Sequence, residues 1–441
     1  MKIMRTLCSS TFSFYPVTIG CGHSFCMPCL CISWEEAPHP PRCPVCRETS
    51  HQMNFKTNIV LKTRTFLARR ARLLHLPGSA VQMCQVHMQT KKFFCEVIKD
   101  LLCVLCSKSK EHVAHRHCSI DWVAEEYRQR LLEQMRCVWK KTKENQRNLN
   151  RETSKMETWE NVTLRKRMIR AEYRKVNLLL YTEEKRYLEK IENESKEIFQ
   201  QLKESKDSMC LKGTHLRGVY EELMEMCRKP DRELLQVRAE GVLFCRSESV
   251  QLHMPQPVHP QLSSWPITGL IDRLSRFLVH ISLDHERVTD DIPLFKGLRS
   301  WLFSSDPPDM ATITRRCFLA WGDQPFLSGQ HYWEVDVASC SNWVIGFCND
   351  SWAGRDDMTL KAGGMFLLLC VKGDDRCILF TSSSPLLPHY VERPVGHVGV
   401  FLDYECGVVS FVNVADSSLI CSFLSCSFSS PLRPFLYSEY P

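Results

Sequence analysis

Residues 21–48 read CGHSFCMPCLCISWEEAPHPPRCPVCRE, and the spacing of cysteine and histidine in this stretch decides how the N-terminal part of the chain folds. Cys21-x-His23-x2-Cys26-x2-Cys29 is followed, after a thirteen-residue gap, by Cys43-x2-Cys46. Thiolates and imidazoles this close together can close a tetrahedral shell, and repeated pairs are the signature of structural zinc. A second block repeats the theme: Cys84-x2-His87-x7-Cys95-x7-Cys103-x2-Cys106-x5-His112-x2-His115. Each block is too small for a hydrophobic core, so each is expected to need Zn2+ to fold.

Working outward, the chain of 441 residues is long enough for two to four domains. At 44% hydrophobic and 24% charged its composition is that of a soluble protein. It holds 24 cysteines. From Cys21 to Cys106 these fall in metal-ligand spacing, and the later ones are scattered through apolar runs such as Phe366 to Ile378. A reducing, cytoplasmic setting follows, with zinc taking the early cysteines and cores the rest. Met1 to Ile19 lacks the sustained apolar stretch of a signal peptide. The longest apolar run, around Met365 to Val371, is of strand length, so no membrane partner is expected. The sequon at Asn161 lies in a helical pattern and carries no weight. Net charge is +7, with a denser cluster at Lys62, Arg64, Arg69, Arg70 and Arg72 that reads as a solvated linker or helix face. Cys84-x2-His87 is not the thiolate pair of a ββα finger and no basic recognition helix follows, so nucleic acid is not an expected partner.

From Asp121 to Lys229 there is no proline, and Lys, Arg, Glu and Gln dominate, which is the composition of long helices. Apolar residues recur at Tyr127, Leu131, Met135 and Val138, and again at Leu188, Ile191, Ile198, Leu202 and Met209, close to a heptad seam. Ser195 and Ser205 interrupt it. A helix of about a hundred residues would span about 150 Å and must fold back or pair to bury one stripe, and self-association is the default expectation. Pro230 ends the pattern, and Met254-Pro-Gln-Pro-Val-His-Pro reads as a connector. Beyond about Leu270, short β-branched and aromatic runs follow one another between Gly, Asp, Asn and Pro turns: His331-Tyr-Trp-Glu-Val-Asp-Val, Trp343-Val-Ile-Gly-Phe, Gly399-Val-Phe-Leu-Asp, Val408-Val-Ser-Phe-Val-Asn-Val. These predict an all-β sandwich, with Trp333, Trp343 and Phe401 in its core and Gly346, Gly399 and Gly407 at turns or close approaches.

With CGHSFCxxC, CPVCRE, the Cys/His register of the second block, SGQHYWEVDV, VGVFLDYECGVVSF and RPF, the chain resembles the tripartite-motif family over nearly its whole length. The resemblance implies a RING-type zinc finger at 1–55, a linker at 56–83, a type 2 B-box at 84–118, a coiled coil at 121–235, a linker at 236–269 and a PRY/SPRY (B30.2) domain at 270–441. In a RING cross-brace Cys21, His23, Cys43 and Cys46 would bind one ion. Cys26 and Cys29 would hold half of another, whose remaining pair is expected at Thr6 and Ser9; Cys8 is one residue out of register and Cys31 is an extra candidate. In the B-box, Cys84, His87, Cys103 and Cys106 would make one site. Cys95, His112 and His115 would make most of the second, but Ile98 stands where a carboxylate or thiolate is expected, leaving Asp100, His117, Cys118 or water to complete it.

A competent RING implies an E3 ubiquitin ligase without a nucleophile of its own, and the family resemblance extends to innate immune regulation. It would restrain a ubiquitin-charged conjugating enzyme near a target lysine. Trp34, Pro44 and Arg47 match positions that meet the conjugating enzyme or ubiquitin; the structural alternatives are a small-domain core residue for Trp34 and a knuckle turn for Pro44. A degenerate RING implies instead a non-catalytic scaffold that joins related chains through its coil. The PRY/SPRY domain would select a protein substrate through loops 306–315, 352–357 and 382–390, with Trp352 as the leading anchor candidate. No Ser-His-Asp signature, phosphate loop or HExxH occurs.

Overall fold

The computed structural model describes residues 15–35, 41–50, 56–75, 83–159, 162–175, 180–239, 254–287, 316–340, 342–350, 365–372, 377–381 and 387–440. The chain divides into two compact units, residues 1–150 with 206–256 and residues 151–205 with 257–441.

The first unit opens with β1 (Pro16–Thr18) and β2 (Ser24–Cys26), a hairpin in which Val17 faces Phe25. Gly22 takes φ 83 in its turn, which glycine does without strain. Helix α1 (Met27–Glu35) follows and buries Leu30, Cys31 and Trp34. The stretch expected to be linker from residue 56 is structured at its start. There β3 (Lys56–Thr57) pairs with β1 as the third strand of this sheet. Asn58 then bonds Thr18 and Ser24 through Nδ2, and its Oδ1 accepts the Leu61 amide at 3.0 Å as N-cap of α2 (Ile59–His75). The basic cluster of the sequence lies on α2, where Arg64 is exposed. A second small sheet contains β4 (Phe93–Cys95), β5 (Leu101–Leu102) and, after the one-turn α3 (Val104–Ser107), β6 (His117–Ser119), in the order β5-β4-β6.

Four helices replace the single long one of the pattern: α4 (Ile120–Thr158), α5 (Val162–Arg174), α6 (Tyr181–Arg228) and α7 (Asp231–Ala239). In the first unit the start of α4 runs antiparallel to the end of α6. Asn145 Nδ2 donates to the Met209 carbonyl at 2.8 Å, while Arg128 donates to the carbonyls of Cys227 and Lys229 and pairs with Asp231 at 2.6 Å. The seam residues Tyr127, Leu131, Met135 and Val138 are buried in one cluster with Leu216, Tyr220 and Leu223. Folding back, one of the two solutions open to a one-sided stripe, therefore covers this seam within a single chain. Pro230 ends α6 as expected, and a short helix restarts directly after it because the missing amide of a proline is harmless at a helix N-terminus.

In the second unit the end of α4 and α5 run antiparallel to the start of α6. Trp159 Nε1 donates to both the carbonyl and the hydroxyl of Ser195 at 3.1 Å, which is the use of that polar interruption of the seam. The segment expected to be linker up to 269 is packed from Leu262 onward. Leu262 and Ile267 are buried, and their amides donate to the carbonyls of Tyr390 and Ser417. Helix α8 (Leu270–Leu274) and a 3-10 turn lead into the sandwich. Its strands are β7 (Leu283–Arg287), β8 (Arg316–Gly322), β9 (Gln330–Asp336), β10 (Asn342–Asn349), β11 (Phe366–Lys372), β12 (Cys377–Thr381), β13 (Leu387–Pro388), β14 (His397–Asp403), β15 (Val408–Asn413), β16 (Ser418–Phe423) and β17 (Leu432–Tyr440). They form a seven-stranded sheet, β13-β12-β11-β10-β17-β8-β7, and a four-stranded sheet, β16-β15-β14-β9.

The two sheets share a core in which Trp333 of β9 meets Phe347 of β10 edge to face at 5.0 Å, and Trp343 and Phe401 are buried with them. A Cβ on Gly346 would overlap the Phe366 carbonyl, and one on Gly407, at φ 64, would overlap that of Cys426. Helix α5 lies on the four-stranded sheet, where buried Arg165 donates to the carbonyls of Ile420 and Leu419 at 2.8 and 3.2 Å. None of the cysteines whose side chains are described is in a disulfide. Among the described residues no helix is long and apolar enough to cross a membrane.

Candidate metal centres

Three turns of the first unit share one backbone. In the first, the Cys43 amide donates to the Glu48 carbonyl at 2.8 Å and the Arg47 amide to the Cys43 carbonyl at 2.9 Å. Cys84 repeats these bonds with Gln89 and Met88, at 2.8 and 2.9 Å, and Cys95 repeats them with Asp100 and Lys99, both at 2.9 Å. The residue four beyond each cysteine is left-handed: Arg47 at φ 60, Met88 at φ 51 and Lys99 at φ 58. That conformation costs a residue with a Cβ about 1–2 kcal/mol. It lets the turn present the opening cysteine and the third residue after it toward one point.

The side chains converge in three groups: Cys21, His23, Cys43 and Cys46; Cys84, His87, Cys103 and Cys106; and Cys95, His112 and His115. Within each group the ligand atoms lie within 4.8 Å of one another. His23 Nδ1 stands 3.4 Å from Cys21 Sγ and 3.7 Å from Cys43 Sγ. His87 Nδ1 stands 3.6, 3.5 and 3.3 Å from the sulfurs of Cys84, Cys103 and Cys106. His115 Nδ1 is 3.5 Å from Cys95 Sγ and 3.5 Å from His112 Nδ1. A tetrahedral zinc with bonds of about 2.3 Å to sulfur and 2.0–2.1 Å to nitrogen has S···N edges of about 3.5 Å. The donors therefore have both the chemistry and the spacing that Zn2+ takes.

Charge distribution agrees with a cation at these points. The His87 backbone amide leads in holding Cys84 down to about 6, while burial and the neighbouring sulfurs push Cys106 up to about 12. In the first group burial, with Cys43 beside it, pushes Cys21 up to about 11; the burial that would also raise Cys43 is outweighed by bonds from the Cys46 and Val45 amides. Each of the two four-donor groups thus sets one thiol held low against another pushed high, a conflict that a dication removes.

The other expected site residues are placed as follows. Cys26 and Cys29 are buried side by side, and the stretch expected to supply their partner pair, with Cys8, lies outside the described residues. Cys31, the extra candidate, is drawn into the apolar core instead, where burial pushes its thiol up to about 12 and the Tyr220 hydroxyl meets it. Trp34 is 1% exposed, its Nε1 donating to the Arg42 carbonyl at 2.9 Å and its carbonyl accepting from Lys143. It fills the core, and a partner would reach it only if that core parted. Pro44 is half-buried and Arg47 exposed on the Cys43 turn.

Trp352 and the loops 306–315 and 352–357 lie outside the described residues, as do 382–386 of the third loop. The end of that third loop is structural: His389 is buried and bonded to Thr381 at 2.9 Å, and Tyr390 meets Thr158 of α4 at 3.1 Å. The left-handed residues of the turns had no signal in sequence, because Arg, Met and Lys are not the types that favour that conformation.

Residues 330–440 match the model of the SPRY domain. Tripartite motif-containing protein 49 of Homo sapiens is 50% identical over 98% of this chain and 96% of its own length. Tripartite motif-containing protein 77 of Homo sapiens is 50% identical over 96% of this chain and 94% of its own. A crystal structure of the TRIM65 PSpry domain aligns with 41% of this chain and 98% of its own at 16% identity, with a TM-score of 0.26.

Proposed function

We propose, from the premise that this chain belongs to the tripartite-motif family, that it is a RING-type ubiquitin ligase whose PRY/SPRY sandwich selects the protein target. The observation that carries this reading is the four-donor group Cys21, His23, Cys43 and Cys46, whose Cys43 turn keeps Arg47 exposed beside the last ligand, with Pro44 half-buried on the same turn. Bound there, zinc supplies structure, cross-linking β1–β2 to that turn. Arg47 then offers a planar set of donors to ubiquitin and its carrier at once. The chain contributes no nucleophile; its part is to hold the carrier thioester near an acceptor lysine in a reactive geometry. Self-association, or joining of related family members through the helices, would raise the local concentration of carriers and targets.

The second reading is a non-catalytic scaffold, and the burial of Trp34 favours it, since one of three contact positions is taken up by the core. A reconstituted reaction with zinc-loaded full chain and a broad panel of conjugating enzymes separates the two. Ligase function predicts ubiquitin conjugates that fall at least about tenfold in Arg47→Ala, which leaves every ligand in place. No conjugates with any carrier, from protein that binds zinc and joins a related chain in mixed oligomers, establishes the scaffold.

A further inference from the structure

The Cys95 turn has the backbone of a zinc knuckle but not its second ligand. Counting three residues from the opening cysteine gives Cys46 in the first turn and His87 in the second, both within their donor groups. In the third the count gives Ile98, whose side chain has no lone pair to offer. Four neighbours remain as substitutes: three are turned away or engaged elsewhere, and the fourth, His117, has a buried Nε2 without a hydrogen-bond partner but lies outside the donor group. Asp100 Oδ1 accepts the Leu101 amide at 2.6 Å and lies 3.9 Å from Lys91 Nζ. Glu96 is paired with Arg116 at 3.5 Å and accepts from Cys118 at 3.3 Å. Cys118 pairs with Phe94, so it stands on the opposite face of the sheet from Cys95. His117 pairs with Cys95 and shares its face, yet its ring nitrogens do not join the donor group.

We propose that the centre of Cys95, His112 and His115 binds zinc through three protein ligands and one small monodentate donor from solution, which makes it the exchangeable ion of the B-box. Three protein ligands with a solvent-supplied fourth is the arrangement by which zinc keeps a replaceable position. Ile98, at the knuckle position, is 44% exposed and has no donor atom to offer. The ion joins the end of β4 to the loop of His112 and His115. Its loss frees that loop while the four-donor group at Cys84 keeps the rest of the B-box folded. The proposal takes zinc binding from the function above but not ligase chemistry, so its test reads metal and not conjugation.

The experiment is a competition between the zinc-loaded full chain and a chromophoric chelator, with cobalt-loaded chain followed by its visible bands. The expected result is an ion released about a hundredfold more readily than those of the four-donor groups. Cys95→Ser removes that release phase. Ile98→Asp, which restores a carboxylate at the knuckle position, moves the ion into the tight class. Azide added to the cobalt-loaded chain shifts the bands of the native protein and leaves those of Ile98→Asp unchanged. His117→Ala leaves the ion count and the azide shift as they were. The proposal is overturned if His117→Ala abolishes the phase as Cys95→Ser does, which would make His117 the fourth ligand. It is equally overturned if Cys95→Ser changes no ion count, or if azide shifts nothing and all ions leave in one tight phase.

Discussion

The Cys/His-rich block of residues 83–119 and the sandwich are both made of short antiparallel strands, and they differ in how much core they bury. The sheet of the second block has strands of three, two and three residues, and the buried side chains of residues 83–119, Cys84, Phe94, Cys95, Leu101, Leu102 and Cys103, include three members of the donor groups. The sandwich stacks sheets of seven and four strands over Trp333, Trp343, Phe347, Val400 and Phe411. Below about 40 residues a chain buries too little apolar surface to repay its conformational entropy, so ligand bonds must replace core. With zinc bound as proposed, the same secondary structure has an on–off dependence on an ion in one region and a graded dependence on packing in the other.

The largest effect that tests this contrast is removal of metal. His87→Ala, or a strong chelator at neutral pH, takes away binding energy of about 10 kcal/mol or more, which is the folding energy of such a unit. Hydrogen exchange followed by peptide should show residues 83–119 losing protection while 316–440 keep theirs. Loss of protection in both regions at once would break the comparison. The reverse experiment is smaller. Trp343→Ala removes a side chain that is fully buried between the sheets, at a cost of about 3–5 kcal/mol. Denaturant melts should shift for the sandwich peptides alone, with the zinc count per chain unchanged.

This contrast also explains what could be read from the sequence. Metal groups announce themselves by spacing: Cys84, His87, Cys103 and Cys106 are brought together as the pattern implies, and so are Cys21, His23, Cys43 and Cys46. Strand patterns are equally open, because Trp333, Trp343 and Phe401 lie in runs that alternate or are apolar throughout. Packing between distant segments left no comparable trace. Nothing local in Lys56–Thr57 says that it joins β1, and Leu262 and Ile267 sit in a proline-rich run that looks like a connector until their partners Tyr390 and Ser417 are known. Trp34 belongs to the same class: its burial depends on a core completed by helices far along the chain. The seam was legible as positions, since Ile191, Leu202 and Met209 are all fully buried, but periodicity alone does not choose between folding back and pairing.

Acid offers the smallest and sharpest test, because the two regions should respond to it for different reasons. With zinc bound as proposed, residues 83–119 should weaken as pH falls because protons compete with zinc for thiolate and imidazole, and added zinc should oppose that loss. The sandwich has a titrating group of its own. His389 is buried against Thr381, and burial, followed by the nearby Arg165 charge, holds it down to about 3. Its folded pKa lies below the unfolded value of about 6.5, so the unfolded chain takes up the proton first, and stability present above about pH 6.5 is lost as pH falls toward 3. At pH 5.5 the loss from this one group is about 1.4 kcal/mol. His389→Gln keeps a polar partner for Thr381 and cannot titrate, so the pH slope of the sandwich melt between 6.5 and 5 should flatten, and zinc should have no influence on it. An unchanged slope would show that His389 is protonated in the folded sandwich, with Arg165 and the surrounding core making room for a second charge.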